Sequence, residues 1–248
     1  MYMIDAAAYD YKTLNETIRQ TTGGCTVTHC LGQRFLAAGM GEDHAVTTYG
    51  TPGNALGTYL NGAEIHVHGS AQDAVGDTMN SGRIVIHGSV GDAVGYAMRG
   101  GKIFVRGNAG YRAGIHMKAY GETCPAILIG GKCGSFLGEY QAGGILAVLG
   151  LPSPDDAPET LSRPIVGNFP STGMHGGRLY LRGDTSGLHF PEYVSVRAAT
   201  DEDMRILDPY LTEFCDVFGY EKSLITGEPF TLVTPDTKNP YKQMYVMN

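Results

Sequence analysis

The sequence predicts an all-β chain: a right-handed, single-stranded parallel β-helix with about 19 residues per coil and short flanking helices. Three observations carry this. Gly50, Gly69, Gly88 and Gly107 recur every 19 residues, as do Gly57, Gly76, Gly95 and Gly114. Before each glycine of the first series runs a short alternating segment ("AVTTYG", "EIHVHG", "RIVIHG", "KIFVRG") that reads as a strand. A 19-residue step is also too short for a strand plus a crossover helix, which needs roughly 30 residues.

The elements follow in order. Residues 1–23 read as an N-terminal helical cap, with Tyr11, Leu14 and Ile18 at helical spacing after Asp10 as N-cap. Residues 24–185 read as the solenoid. Ile65/Val67, Ile84/Ile86 and Ile103/Val105 should face its interior. The columns Leu56/Val75/Val94/Ala113 and Leu60/Met79/Met98/Met117 should fill the rest of it. The glycine columns mark positions that need φ > 0 or a close approach of neighbouring coils. After Gly107 the period breaks. Gly130 is taken as the next equivalent, which implies a short insertion at "KAYGETC", and a longer excursion follows Gly150. Residues 186–248 read as a C-terminal helix and an extended tail packed on the solenoid. Thr200 is the expected N-cap, Met204, Leu207, Leu211, Phe214 and Phe218 the buried face, and Pro209 is expected to kink or restart the helix.

The strands carry two outward columns. Counted back from the final glycines, they read His66, Val85, Phe104, Ile127, Ala147 and His68, His87, Arg106, Ile129, Leu149. Both turn apolar toward the C-terminus. Phe104, Ile127, Ile129 and Leu149 therefore mark an interface with the chain's own tail or with a partner.

The sequence offers no catalytic, cofactor-binding or metal-binding residues. The glycine-rich "GSVGDAVG" lacks the phosphate-binding signatures. His68 and His87 stack with a cation, Arg106, as the next rung and suggest no third ligand, so they read as a solvated ladder. His66 reads as an outward-facing residue, and His116 as a surface or interface residue. Asp73, Asp92 and Glu139 fall on turns, where carboxylates are solvated. Cys25, Cys30, Cys124, Cys133 and Cys215 form no C-x-x-C pair and suit free thiols in a reducing cytoplasm. A net charge of −7 argues against nucleic-acid and anionic-membrane partners, and no apolar run is long enough to span a bilayer.

The repeat unit G-x-x-M-x-x-G-x-I-x-V-x-G, as in "GYAMRGGKIFVRG" at residues 95–107, resembles the glycine-repeat (GXGXG) domain at the C-terminus of the glutamate synthase large subunit. It is similar also to the repeat in the β-helical subunit of formylmethanofuran dehydrogenase. The segment from "FCDVFGYEKS" onward resembles the end of stand-alone versions of this domain in split glutamate synthases. The resemblance implies a non-catalytic structural subunit. Its partners would be a glutamine amidotransferase and a synthase subunit carrying FMN and an iron–sulfur cluster. An N-methylglutamate synthase, a formylmethanofuran dehydrogenase, or an independent enzyme with a groove on the β-helix wall are the alternatives.

Overall fold

The computed structural model describes residues 2–153, 156 and 162–236. The chain winds into a parallel β-solenoid of about 7 turns. Strands β1 (Tyr2–Asp5), β2 (Cys25–Leu31), β3 (Ala45–Thr51), β4 (Asn61–His68), β5 (Ser81–Ile86), β6 (Lys102–Val105), β7 (Ala126–Ile129), β8 (Ala142–Val148) and β9 (Gly176–Arg182) stack in chain order. All these neighbours are parallel. Ile65, Ile84 and Ile103 lie directly opposite one another and are fully buried. The two predicted interior columns are buried beside them, from Leu56 to Ala113 and from Leu60 to Met117.

The two glycine columns have different causes. At Gly69, Gly88 and Gly107 the coils touch. A Cβ on Gly69 would lie 2.3 Å from Gly50 O, and one on Gly107 would lie 2.9 Å from Gly88 O. At Gly57, Gly76, Gly95 and Gly114 the backbone is left-handed, with φ between 65° and 69°. There the chain makes two overlapping turns per coil, closed in one coil by Thr58 N–H to Ala55 O and Leu60 N–H to Gly57 O. The central glycine of each turn pair also donates to the coil before it, as Gly95 N–H does to Val75 O at 2.8 Å. A Cβ on Gly95 would lie 2.2 Å from Ile127 Cδ1, so both conformation and space demand glycine.

Helix α1 (Tyr11–Gln20) closes the N-terminal end. The Asp10 carboxylate accepts N–H bonds from Lys12 and Thr13, and Leu14 and Ile18 are fully buried. Its flank also supplies a strand, β1, that the helical pattern does not announce. At the other end the parallel order stops. Strand β11 (Phe230–Pro235) pairs antiparallel with both β9 and β10 (Val194–Ala198). Between them lie α2 (Asp201–Phe218) and the short α3 (Lys222–Thr226). Thr200 and Asp203 form a capping box at the start of α2. Pro209 does not restart α2: one helix runs through the proline. Leu207, Leu211 and Phe214, on either side of it, are all fully buried against the same wall, and this packing outweighs the lost backbone bond. The tail from Thr237 onward lies outside the described residues.

Candidate functional site: the outer face of the strand wall

Register decides which side chains this face presents. Ile103 lies opposite Ile127, and Val105 opposite Ile129. Ile127 and Ile129 therefore point inward and belong to the solenoid core, against the outward reading from the glycine count. The count is one residue short. Gly131, not Gly130, is the equivalent of Gly107, and donates its N–H to Gly107 O. A one-residue slip moves every side chain of a strand to the other face. The outward central column is thus Thr26, Thr47, His66, Val85, Phe104, Leu128, Ala147 and Tyr180. Phe104 and Leu149 do face outward, and both are fully buried.

What covers them is α2. Val85, Phe104, Leu128, Ala147, Leu149 and Tyr180 form a second apolar cluster with Leu207, Leu211 and Phe214. Phe214 meets Phe104 edge-on at 6.0 Å between ring centroids and Phe218 at 4.8 Å. Ion pairs pin both halves of the helix. Asp203, near its start, is buried and accepts bonds from Arg178 at 2.9 Å and Arg197 at 2.6 Å. The Arg197 guanidinium and the Thr200 N–H hold its carboxyl far below the usual carboxylate range. Farther along, Glu213 pairs with Arg83 and Lys102. Arg83 also pairs with Glu64, which His66 contacts at 2.7 Å.

The helix stops at Gly219, whose left-handed backbone (φ 71°) caps it. Beyond this point the wall is open. Tyr49 stacks on His68 at 4.7 Å, and His68 on His87 at 4.7 Å with planes 17° apart. His87 in turn meets Phe218 at 5.3 Å with the two rings nearly perpendicular. The predicted histidine ladder exists, but only its outer part is solvated. His68 is exposed and His87 is half-buried under the end of α2.

The other sequence-marked residues lie elsewhere. Asp73 and Asp92 are rungs of a ladder: Asp73 Oδ1 accepts Asp92 N–H, and Asp92 Oδ1 accepts Tyr111 N–H, each at 2.8 Å. Glu139 pairs with Arg112, and His116 stacks on Tyr140 at 5.1 Å on the exposed turn wall. All five cysteines are free thiols. Four are buried and Cys124 is exposed. Burial pushes the Cys30 thiol up to about 11. A cavity of about 360 Å³ opens beside the ladder Ala71–Val90–Ala109–Cys133–Val166. Its Asn108 amide is tied to Asp156 at 2.6 Å and its Lys132 ammonium to Arg163 O at 2.5 Å, so these donors anchor the excursion after β8. Among the described residues no three His, Cys, Asp or Glu converge on a metal-sized site, and no helix is long and apolar enough to cross a membrane.

A parallel β-solenoid with one glycine column at coil contacts and another at left-handed turns defines a glycine-repeat class. The GXGXG motif family model matches residues 6–230, and the chain belongs to that family. A protein of Methanocaldococcus jannaschii, described as uncharacterized, is 40% identical over 253 residues, covering 98% of this chain and 95% of that protein.

Proposed function

We propose that the chain is the non-catalytic structural subunit of a glutamate-synthase-type complex, bringing an amidotransferase subunit and an FMN-containing synthase subunit together. The observation that supports this reading is the match of the GXGXG family over residues 6–230, nearly all of the chain. In this reading the partners do the chemistry. Glutamine-derived ammonia passes to a 2-oxoacid, and the imine is reduced through flavin. FMN and the iron–sulfur cluster belong to the synthase partner, and the chain supplies a stiff wall. Its stiffness has a physical basis in coil-to-coil backbone bonds such as Gly76 N–H to Leu56 O and Gly114 N–H to Val94 O.

Affinity capture of the full-length tagged chain from native extract tests the reading. Co-purification of an amidotransferase with a yellow, FMN-bearing protein is the expected result. Recovery of molybdopterin- or tungsten-containing subunits, or substrate turnover by the purified chain alone, would overturn it.

A further inference from the structure

We propose that the imidazole stack on the outer wall is a proton-sensitive catch for the carboxyl end of α2, and that protonating it frees the turn Phe218–Tyr220 from the wall. The inference rests on the geometry of this face and is independent of which complex the chain serves.

His87 sits where the open and covered parts of the wall meet. One ring face lies against His68, and Phe218 packs nearly perpendicular to the ring. Phe218 is held from the other side by Phe214, which also stacks on Tyr220 at 6.0 Å. The end of α2 is thus seated on an aromatic surface. The charged groups around His87 are all cationic or potentially so: His68 and His66 on β4 and Arg106 just beyond β6. The Arg106 guanidinium lies over Tyr220 at 6.0 Å, and its buried Nε has no hydrogen-bond partner among the described residues. Two of the nearby carboxylates are committed elsewhere. Glu64 is bonded to His66 and Arg83, and Glu213 to Arg83 and Lys102. Asp216 and Glu221, at this end of α2, are exposed, and the charges that shift His87 are those of His68, His66 and Arg106.

A proton on His87 therefore places a half-buried cation between His68 and Arg106, beside no carboxylate bonded to it. Burial first, then positive charge from His68, His66 and Arg106, holds His87 below its ordinary value of 6.5. Unseating removes the cover of Phe218 and with it part of that burial, so the unseated form takes up the proton more readily than the seated one. The seating is at full strength above the ordinary value and weakens as pH falls below it. The last turn of α2 can yield without the rest, because Leu207, Leu211 and Asp203 fix the helix nearer its start.

Amide hydrogen exchange on the full chain, corrected for intrinsic rates, reads this directly. Protection of residues 214–220 relative to β8 should fall about threefold or more from about pH 7.5 to about pH 5.5. His87→Phe keeps a flat ring against Phe218 without a titrating proton, and should show equal protection at both pH values. His87→Gln, a smaller neutral side chain, should also lose the pH dependence. Unchanged protection in the wild-type chain overturns the proposal. So does a pH-dependent fall that survives in either variant, since it would belong to another group.

Discussion

The two halves of the outer wall share one backbone and one register, yet they differ in everything they present. Across β2–β4 the central column reads Thr26, Thr47, His66, with the Tyr49–His68 stack beside it. Across β5–β9 it reads Val85, Phe104, Leu128, Ala147, Tyr180, under α2. The inward columns show no such change: Ile65, Ile84, Ile103 and Ile127 run through both halves. The repeat constrains the inside of each coil, because every coil must stack on the next. Outward positions are free, and record only what lies over them. An apolar outward column needs a cover, since burial is worth about 25 cal/mol per Å² and exposure forfeits it.

The sharpest way to break this comparison is to put the same charge into both halves of one column. Leu128→Asp leaves a carboxylate buried beneath α2 without a cation, and should destabilise the chain by about 4 kcal/mol or more. Thr47→Asp, on the half-exposed surface of the other half, should cost about 1 kcal/mol or less, mostly through strand propensity. Urea melts of both variants decide. Similar midpoints would mean that α2 does not seal the wall in solution.

The register error shows what the sequence could and could not carry. Strands, glycine columns and both interior columns were legible because a 19-residue period makes each coil a test of the next. The insertion between β6 and β7 removes that test. Gly130 and Gly131 are adjacent, and both accept the role of terminal glycine by eye. Only the pairing of Val105 with Ile129 selects between them. An aspartate at Ile129 would therefore damage the solenoid core itself and say nothing about what covers the wall. The α2 cover was legible from its apolar spacing, and its continuity through Pro209 was not, because tertiary burial is absent from a local propensity. Strands β10 and β11 were missed for a related reason. Their antiparallel pairing joins segments separated by two helices, and no repeat announces it.

A substitution that should not respect the two halves serves as a control. Gly95→Val places a side chain at φ 68° and against Ile127 Cδ1. It should cost about 3 kcal/mol through backbone strain and overpacking, read as a lowered urea midpoint. If it behaves instead like a surface change, the turn column is not closed to side chains, and the common interior of the two halves is softer than its geometry implies.

The clasp at the start of α2 comes next in size. Thr200→Ala removes the side chain that accepts Asp203 N–H, and should cost about 1 kcal/mol, the usual worth of an N-cap. Acid should act on the same clasp. Asp203 has its carboxyl depressed by Arg197 and Thr200, so its contribution is present above the ordinary 3.8 and is lost as pH falls below it. Thermal melts between about pH 6 and about pH 2.5 should show the wild-type chain losing more stability than Asp203→Asn, which has no charge to lose. Parallel curves would remove Asp203 from the account of how α2 is held.

The smallest effect belongs to the ladder that treats all coils alike. Asp92 is exposed, and its Oδ1 accepts Tyr111 N–H at 2.8 Å while its own N–H goes to Asp73 Oδ1. The rung needs an oxygen at that place and not a charge. The ladder begins with an asparagine, as Asn54 Oδ1 accepts Asp73 N–H at 3.2 Å. Asp92→Asn keeps the acceptor and removes a like-charge neighbour of Asp73, so stability should stay within about 0.5 kcal/mol. Asp92→Leu deletes the acceptor, and the Tyr111 N–H must turn to water. It should lose more than Asp92→Asn in the same urea melts, though still far less than Gly95→Val. A large loss in Asp92→Asn would show that the carboxylate charge itself holds neighbouring coils together, and the uniformity of the repeat would then rest on electrostatics as well as on shape.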